Sequence, residues 1–523
     1  MPSLPGARPH LNPWVLAVTA LLGGTGAALA FAPTGWMPLV LIGPAVGLWA
    51  AASARRPVAG AACGLAFGLG FAYPALRWML EVDPLAGFVL PLIQGMFWAV
   101  TGAAAAAATR LHPAWWVPVV AAVWTLTEAA RARVPLTGFE WAQLAMAVTD
   151  TPARHAAAVV GALGLTALLA TVAAALALLM RSRGRARVVP LIVAIALLLA
   201  TATVGAVRWT VPDGALDVAV VQVDDPCPGE FAADCPGYID ALVTDYVARS
   251  ADVDGGADLI VWGEDALPGA ATLDAAGSAL LARSGGLAAP VLAGVGTPTS
   301  PGRFLRWAAL FGADGAPIDA YAKRMPVPFG EYVPWRSVLG GISDVGRLVP
   351  SDLEAGDDAS PVELSTGDGV ARLGTVVSWE VTFARAVRAV AHDANGLATL
   401  TTVASYGTSA TSDQLLDASQ LRVAEQQKPM VVAATTGRSA FIDADGVIAG
   451  RSALFRGDTL TGTMQLRSGL TPYARAGDLP IVLLAAAVLI GAWIARPRSG
   501  RSADDPGVPA DVEAPGRANT VAP

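Results

Sequence analysis

The spacing of apolar residues divides the chain into two regimes. Before about residue 207, and again near the end, apolar residues run on almost without polar interruption; between them, short apolar runs alternate with polar, turn-rich stretches. A helix crossing a bilayer core of about 30 Å needs roughly 20 mostly apolar residues. About eight runs approach that length, at 14–31, 37–53, 60–80, 85–108, 114–131, 156–180, 188–207 and 479–495. Gly and Ala are abundant in them, and small residues let membrane helices pack backbone to backbone. The first run continues into further spans and lacks an obvious cleavage site, so it reads as a span rather than a secretory signal. The pattern predicts a membrane domain with seven spans over 1–207, a polar domain over 208–478, a last span over 479–495 and a disordered tail over 496–523, rich in Pro, Gly, Ala and charge.

Within the polar domain the apolar runs are short and bounded by turn signals. Leu216–Val223, Leu259–Trp262, Ala289–Val295, Trp307–Phe311, Leu373–Ser378, Ala398–Ala404 and Met430–Ala434 read as strands. Helical stretches such as Tyr238–Ser250 and Asp413–Gln427 lie between them, and Asp314-Gly315 and Asp445-Gly446 are hairpin turn signals. Continuous apolar strands of this kind belong to sheets covered on both faces. A layered α/β domain is the expected solution.

Charge sets the orientation. Cytoplasmic loops of membrane proteins carry an excess of Lys and Arg. With the N-terminus inside, the inner loops hold Arg8, Arg55, Arg56, Arg110, the cluster Arg181, Arg183, Arg185 and Arg187, and finally Arg496, Arg498 and Arg501. Glu81 and Asp83 fall outside; Arg131, Arg133 and Arg154 run against the trend. Residues 208–478 are then extracytoplasmic. The chain of 523 residues is 54% hydrophobic with 15% charged residues, and its net charge is −7. That balance offers no broad basic surface, and no nucleic-acid partner is expected. Four histidines and three cysteines are too scattered for a metal cluster, and no metal or cofactor is expected. Cys63 reads as a packing residue inside a span. Cys227 and Cys235 are either a small disulfide loop or two free thiols.

Three chemically active side chains share one setting, the end of an apolar strand. Glu264 ends Leu-Ile-Val-Trp-Gly-Glu, Lys323 follows the segment after Asp314-Gly315, and Ser378 ends Gly-Thr-Val-Val-Ser. Ligands of α/β sheets bind at strand ends. A carboxylate can take a nucleophile's proton, a hydroxyl can carry an acyl group, and an ammonium can stabilise the oxyanion that develops on a carbonyl.

The order Glu, Lys, nucleophile resembles the nitrilase superfamily, whose triad Glu-Lys-Cys sits on an αββα sandwich. The segment Tyr321-Ala-Lys-Arg-Met-Pro-Val-Pro-Phe-Gly-Glu-Tyr-Val-Pro334 is more specific and resembles the hallmark of the apolipoprotein N-acyltransferase family. Phe31-Ala-Pro-Thr-Gly35, Gly138-Phe-Glu-Trp141 and the seven-plus-one span order resemble that family too, so the likeness covers nearly the whole chain. It implies a bacterial plasma-membrane enzyme with an extracytoplasmic nitrilase-like domain and no cofactor. It implies a membrane phospholipid as acyl donor and the N-terminal diacylglyceryl-cysteine of a lipoprotein as acceptor. By position, Glu264 would be the general base, Lys323 the oxyanion partner and Glu331 a second essential glutamate. Trp262 and Trp141 match aromatic positions near the site and the lipid doorway; Trp379 stands where the family usually has Tyr, and Glu380 matches the acidic residue after it.

The departures are as informative. Ser378 replaces the family's Cys, and a hydroxyl needs a stronger base beside it than a thiol does. No histidine lies in the motifs to relay the proton, and His392 reads as surface or helix packing. Trp-Pro-Glu has become Trp262-Gly-Glu264, and Asn-Asp-Ala-Trp-Phe-Gly has become Thr402-Val-Ala-Ser-Tyr-Gly407. Each site residue also has a plainer reading: Glu331 as an ion-pair partner of Arg324 or Arg336, Trp262 as core, Ser378 as a residue bonded to backbone. Two functions follow. One is a phospholipid-dependent N-acyltransferase. The other is a non-catalytic homologue that binds lipid and lipoprotein as partner to an active relative or another lipoprotein-processing enzyme. A nitrilase on a membrane anchor, or a transporter, fits the spans less well.

Overall fold

In a computed structural model the described residues are 11–54, 56–181, 188–227, 235–253, 255–340, 349–367 and 369–496. The tail beyond 496 lies outside them, as do Arg8, Arg55, Arg183, Arg185, Arg187, Arg498 and Arg501 of the orientation argument.

Every apolar run carries a helix. The N-terminal part comprises α1 (Pro13–Ala28), α2 (Leu39–Ser53), α3 (Pro57–Ala75), α4 (Pro84–Arg110), α5 (Trp116–Arg131), α6 (Ala157–Arg181) and α7 (Val188–Gly205). Of these, α3, α4, α6 (with its lead-in from Pro152) and α7 are long and apolar enough to cross a membrane; α1, α2 and a last helix at Leu479–Ile494 are apolar but shorter. Glycines explain the tight packing. A Cβ on Gly24 would lie 2.0 Å from the carbonyl oxygen of Phe67, and one on Gly64 2.2 Å from that of Trp98. Backbones approach that closely only where no side chain intervenes.

The three arginines that ran against the charge trend are not free loop charges. Arg131 is buried, paired with Glu128 at 2.6 Å, and donates to the carbonyls of Phe139 and Trp141. Arg133 pairs with Asp478 and Arg154 donates to the carbonyl of Asp445. Arg131 holds the turn after α5, and the other two tie the segment between α5 and α6 to Asp478 and Asp445.

The polar domain is two facing sheets with helices outside both. One sheet has the order β13-β1-β2-β3-β4-β5, with β6 added on β4; the other is β12-β11-β10-β9-β8-β7. The strands are β1 (Val211–Gln222), β2 (Leu259–Trp262), β3 (Val291–Ser300), β4 (Arg303–Phe311), β5 (Pro317–Ala322), β6 (Asp352–Leu353), β7 (Val362–Thr366), β8 (Gly369–Val377), β9 (Gly396–Thr401), β10 (Met430–Ala434), β11 (Ala440–Ile442), β12 (Ile448–Arg451) and β13 (Asp458–Ser468). Both predicted turn dipeptides join antiparallel neighbours, β4 to β5 and β11 to β12. Helices α8 (Tyr238–Ala251) and α9 (Leu273–Ser284) cover the first sheet, and α10 (Ala384–Ala391) and α11 (Thr411–Gln426) the second. The last helix, α12 (Leu479–Ile494), returns against α5. Cys227 and Cys235 form a disulfide, which settles the open choice between a bridge and two thiols.

Helix α11 is buried on nearly every side, between the second sheet and the membrane bundle. Several of its polar residues find partners in the bundle: Gln414 accepts from the Trp141 indole at 2.6 Å and donates to the carbonyls of Ala32 and Ala75, and Gln420 donates to Asp150. Glu425 receives the amide of Ala162 at 2.7 Å, one residue past the break in α6 at Gly161, whose φ is 69°. Buried polar groups persist only when paired in this way.

Candidate active site

Register within the second sheet and hydrogen bonds across to the first link the three strand ends. Val377 of β8 pairs with Leu400 of β9, so Ser378 and Thr401 follow at one level. The Glu264 amide donates to the Thr401 carbonyl, and the amide of Thr402 donates to Glu264 Oε2 at 3.2 Å. Glu264 therefore stands at the strand end that neighbours Ser378. Lys323 reaches the same place from β5 through Glu380. That carboxylate accepts the amides of Arg324, Met325 and Val377 at 2.8, 2.9 and 2.8 Å, and the hydroxyl of Tyr321. The segment after Lys323 and the residue before Ser378 thus share one buried carboxyl group.

Lys323 is fully buried and is held by two carboxylates, donating to Glu331 Oε1 at 2.6 Å and to Glu264 Oε1 at 3.3 Å. Arg306 Nη1 donates to Glu264 Oε1 at 2.9 Å and also to Glu331 Oε1. Its Nε lies 3.1 Å from Asp265. Burial disfavours the charged form of each group and the opposite charges oppose it. Burial pushes the Glu264 carboxyl above the ordinary range against the pull of Lys323 and Arg306. For Glu331 burial pushes the same way, but Lys323 and Arg306 outweigh it and hold the carboxyl low. Lys323 loses to burial and gains more from its carboxylates, so it stays charged. The result is a proton acceptor poised in Glu264, an anchored anion in Glu331 and a fixed ammonium between them.

Ser378 sits at an elbow. Its φ is 57°, in the left-handed region that a residue with a side chain enters at a cost, and a short 3-10 turn over Ser378–Thr382 begins with it. It is part-exposed, and its hydroxyl makes no hydrogen bond among the described residues, so the reading of a hydroxyl tied to backbone does not hold. A strained, accessible, unbonded hydroxyl at a strand end is the geometry of an attacking group.

The remaining expected residues divide. Glu331 pairs with Lys323 and Arg306 rather than Arg324 or Arg336; Arg336 is taken by Asp352. Trp379 donates its indole N–H to the Met325 carbonyl and packs edge-on against Phe383. Trp262 faces the outer helices, stacked on Tyr246 at 4.7 Å and donating to Ser250, so it packs as core between sheet and helices. Trp141 stands at the seam with the bundle, 4.8 Å from the Trp78 ring, which meets Tyr406 edge-on at 5.3 Å. His392 is at the surface beside Asp393. Arg306 and Asp265 escaped sequence reasoning, and Tyr406 stood out only as part of the altered segment 402–407. For Arg306 a signal existed: it alternates with Ala308 and Leu310, which face the inter-sheet core, so a charge stood in an inward register position.

Comparison with known proteins bears on the same two regions. Residues 23–175 match the apolipoprotein N-acyltransferase N-terminal domain, and residues 217–471 match the carbon-nitrogen hydrolase family. The apolipoprotein N-acyltransferase of Chromobacterium violaceum is 30% identical over 94% of this chain and 95% of its own. That of Shewanella oneidensis is 27% identical over 92% of this chain and 95% of its own. A solved amidase from Nesterenkonia sp. AN1 is similar over 52% of this chain and 97% of its own, at 20% identity and a TM-score of 0.36. The matches to the membrane part, to the hydrolase domain and to full-length relatives agree, and the chain belongs to the apolipoprotein N-acyltransferase family, a branch of the nitrilase superfamily.

Proposed function

We propose that Glu264, Lys323 and Ser378 carry out the acyl transfer of this N-acyltransferase, on the extracytoplasmic side of a bacterial plasma membrane. Ser378 Oγ attacks the ester carbonyl of a phospholipid acyl chain while Glu264 takes its proton. Lys323 donates to the oxyanion of the tetrahedral intermediate. The ester C–O bond breaks, the leaving lysophospholipid oxygen takes the proton from Glu264, and the acyl group stays on Ser378 as an ester. The amine of a diacylglyceryl-cysteine then attacks that ester. Glu264 accepts the amine proton and returns it to Ser378 Oγ as the amide forms.

The observation that carries this reading is the buried Glu264–Lys323–Glu331 cluster beside an accessible hydroxyl on a left-handed elbow. The eight helices at the apolar runs, the inner-loop arginines and the disulfide support eight spans with the polar domain outside, since disulfides persist in oxidising compartments. Trp141, Trp78 and Tyr406 pack together at the seam between bundle and polar domain, an apolar surface that suits an acyl chain arriving from the bilayer.

The test mixes the purified full chain with phospholipid and a diacylated lipopeptide and follows N-acylation by mass spectrometry. Transfer by the wild type and its loss in Ser378→Ala and Glu264→Gln are expected. Equal transfer by Ser378→Ala would sink the serine mechanism.

A further inference from the structure

Arg306 is a cation of the site that the acid, amine and hydroxyl set does not require. It stands on β4 opposite Gly296, on the face that Ala308 and Leu310 turn to the inter-sheet core, and its side chain is only 16% exposed. Placing a guanidinium there is costly unless it is paired. It is paired three ways, with Glu264, Glu331 and Asp265.

The division of Glu264's two oxygens is informative. Both cations take Oε1, Arg306 at 2.9 Å and Lys323 at 3.3 Å, whereas Oε2 has the Thr402 amide at 3.2 Å as its hydrogen-bond donor among the described residues. Oε1 is saturated by charge, and Oε2 keeps a lone pair. The charges that face Glu264 are Lys323 from the end of β5, Arg306 from β4, Asp265 from its own turn and Glu331 from the following loop, with the Tyr406 phenol beyond β9. Without Arg306, two buried carboxylates would share one ammonium, a situation that drives one of them to bind a proton. A protonated Glu264 could accept nothing from a serine.

We propose that Arg306 is a positioning residue of the acyl-transfer site, holding Glu264 as the anion and leaving its Oε2 as the oxygen free to take the Ser378 proton. The inference rests on the reading of Glu264 as general base. It also gives the hydroxyl nucleophile what it needs most, an opposite charge at its base to set against the burial that favours the protonated acid.

Transfer requires ionised Glu264, so activity falls as pH drops through its titration. Replacing Arg306 with Gln removes an opposite charge at hydrogen-bond distance, which favours the protonated acid. The acid limb of the pH–rate profile therefore moves to higher pH, by about 1–3 units. Activity falls roughly tenfold or more on the acid side and approaches wild type on the alkaline side, with KM for the phospholipid little changed. Arg306→Lys keeps the charge and recovers part of the shift. An even loss at every pH, with the limb unmoved, overturns the proposal.

A second readout does not depend on transfer. In a Ser378→Cys background, the rate of iodoacetamide alkylation against pH reports the base beside the thiol. Arg306→Gln is expected to move that profile upward as well. If Glu264→Gln in this background leaves the profile as it was, the general-base reading falls. If Glu264→Gln changes it and Arg306→Gln does not, the base reading stands and the role of Arg306 falls.

Discussion

Glu380 accepts the amide of Arg324 at 2.8 Å, and that bond fixes the residue after Lys323 to the strand end that presents Ser378. The same buried carboxylate also takes the amides of Met325 and Val377. Glu380→Ala would strand these donors in a dry interior. A loss of about 3 kcal/mol or more is expected, since each unpaired buried donor costs about 1–3 kcal/mol. Glu380→Gln, which keeps one acceptor oxygen, should lose less. Denaturant unfolding in detergent, run beside the transfer assay, checks both.

The left-handed backbone at Ser378 predicts opposed effects on stability and activity. Ser378→Gly should raise stability by about 1 kcal/mol, because glycine enters that region without steric cost, and should abolish transfer. Ser378→Cys keeps the elbow and supplies a thiol that is intrinsically more nucleophilic, so a gain of roughly tenfold or more is expected. Melting temperature and N-acylation by mass spectrometry separate the two effects.

The glycine of Trp262-Gly-Glu264 is required by its surroundings. A Cβ on Gly263 would lie 2.4 Å from the Thr435 nitrogen, and the Gly263 amide donates to the Tyr246 hydroxyl at 3.1 Å. Gly263→Pro, which restores the residue usual in the family, should therefore damage this protein. It removes that bond and forces β2 away from Thr435, for an expected loss of about 2–4 kcal/mol. Unfolding measurements on Gly263→Pro and Gly263→Ala test it; wild-type stability in the proline variant would refute the account.

Protein isolated without reductant should contain the Cys227–Cys235 pair as a linked peptide, with neither cysteine alkylated before reduction. Cys63, buried in α3, should resist alkylation until the chain unfolds. Free thiols at 227 and 235 in cell-derived protein would count against an oxidising location for the polar domain.

What the sequence made legible followed from local rules. Leu259–Trp262 and Met430–Ala434 are strands with the boundaries expected, because buried parallel strands are short apolar runs cut off by turn residues. Glu264, Lys323 and Ser378 were found because each follows such a run. The illegible part was three-dimensional. Nothing in Arg-Phe-Leu-Arg-Trp shows that the second arginine faces two glutamates from other elements. Strands β7 and β13 were missed because polar residues alternate along them, as expected at the outer parts of sheets. Trp262 looked like a site residue by adjacency alone, yet the alternation of a strand turned it to the opposite face from its inner neighbours Leu259 and Val261.

Helix α11 is gripped from both sides, by a sheet on one flank and by Trp141, Asp150 and Ala162 of the bundle on the other. A half clasped like this has little freedom to swing away from the bilayer as a clamshell would. On the proposed mechanism, donor and acceptor then have to exchange at Ser378 while the polar domain stays seated on the bundle.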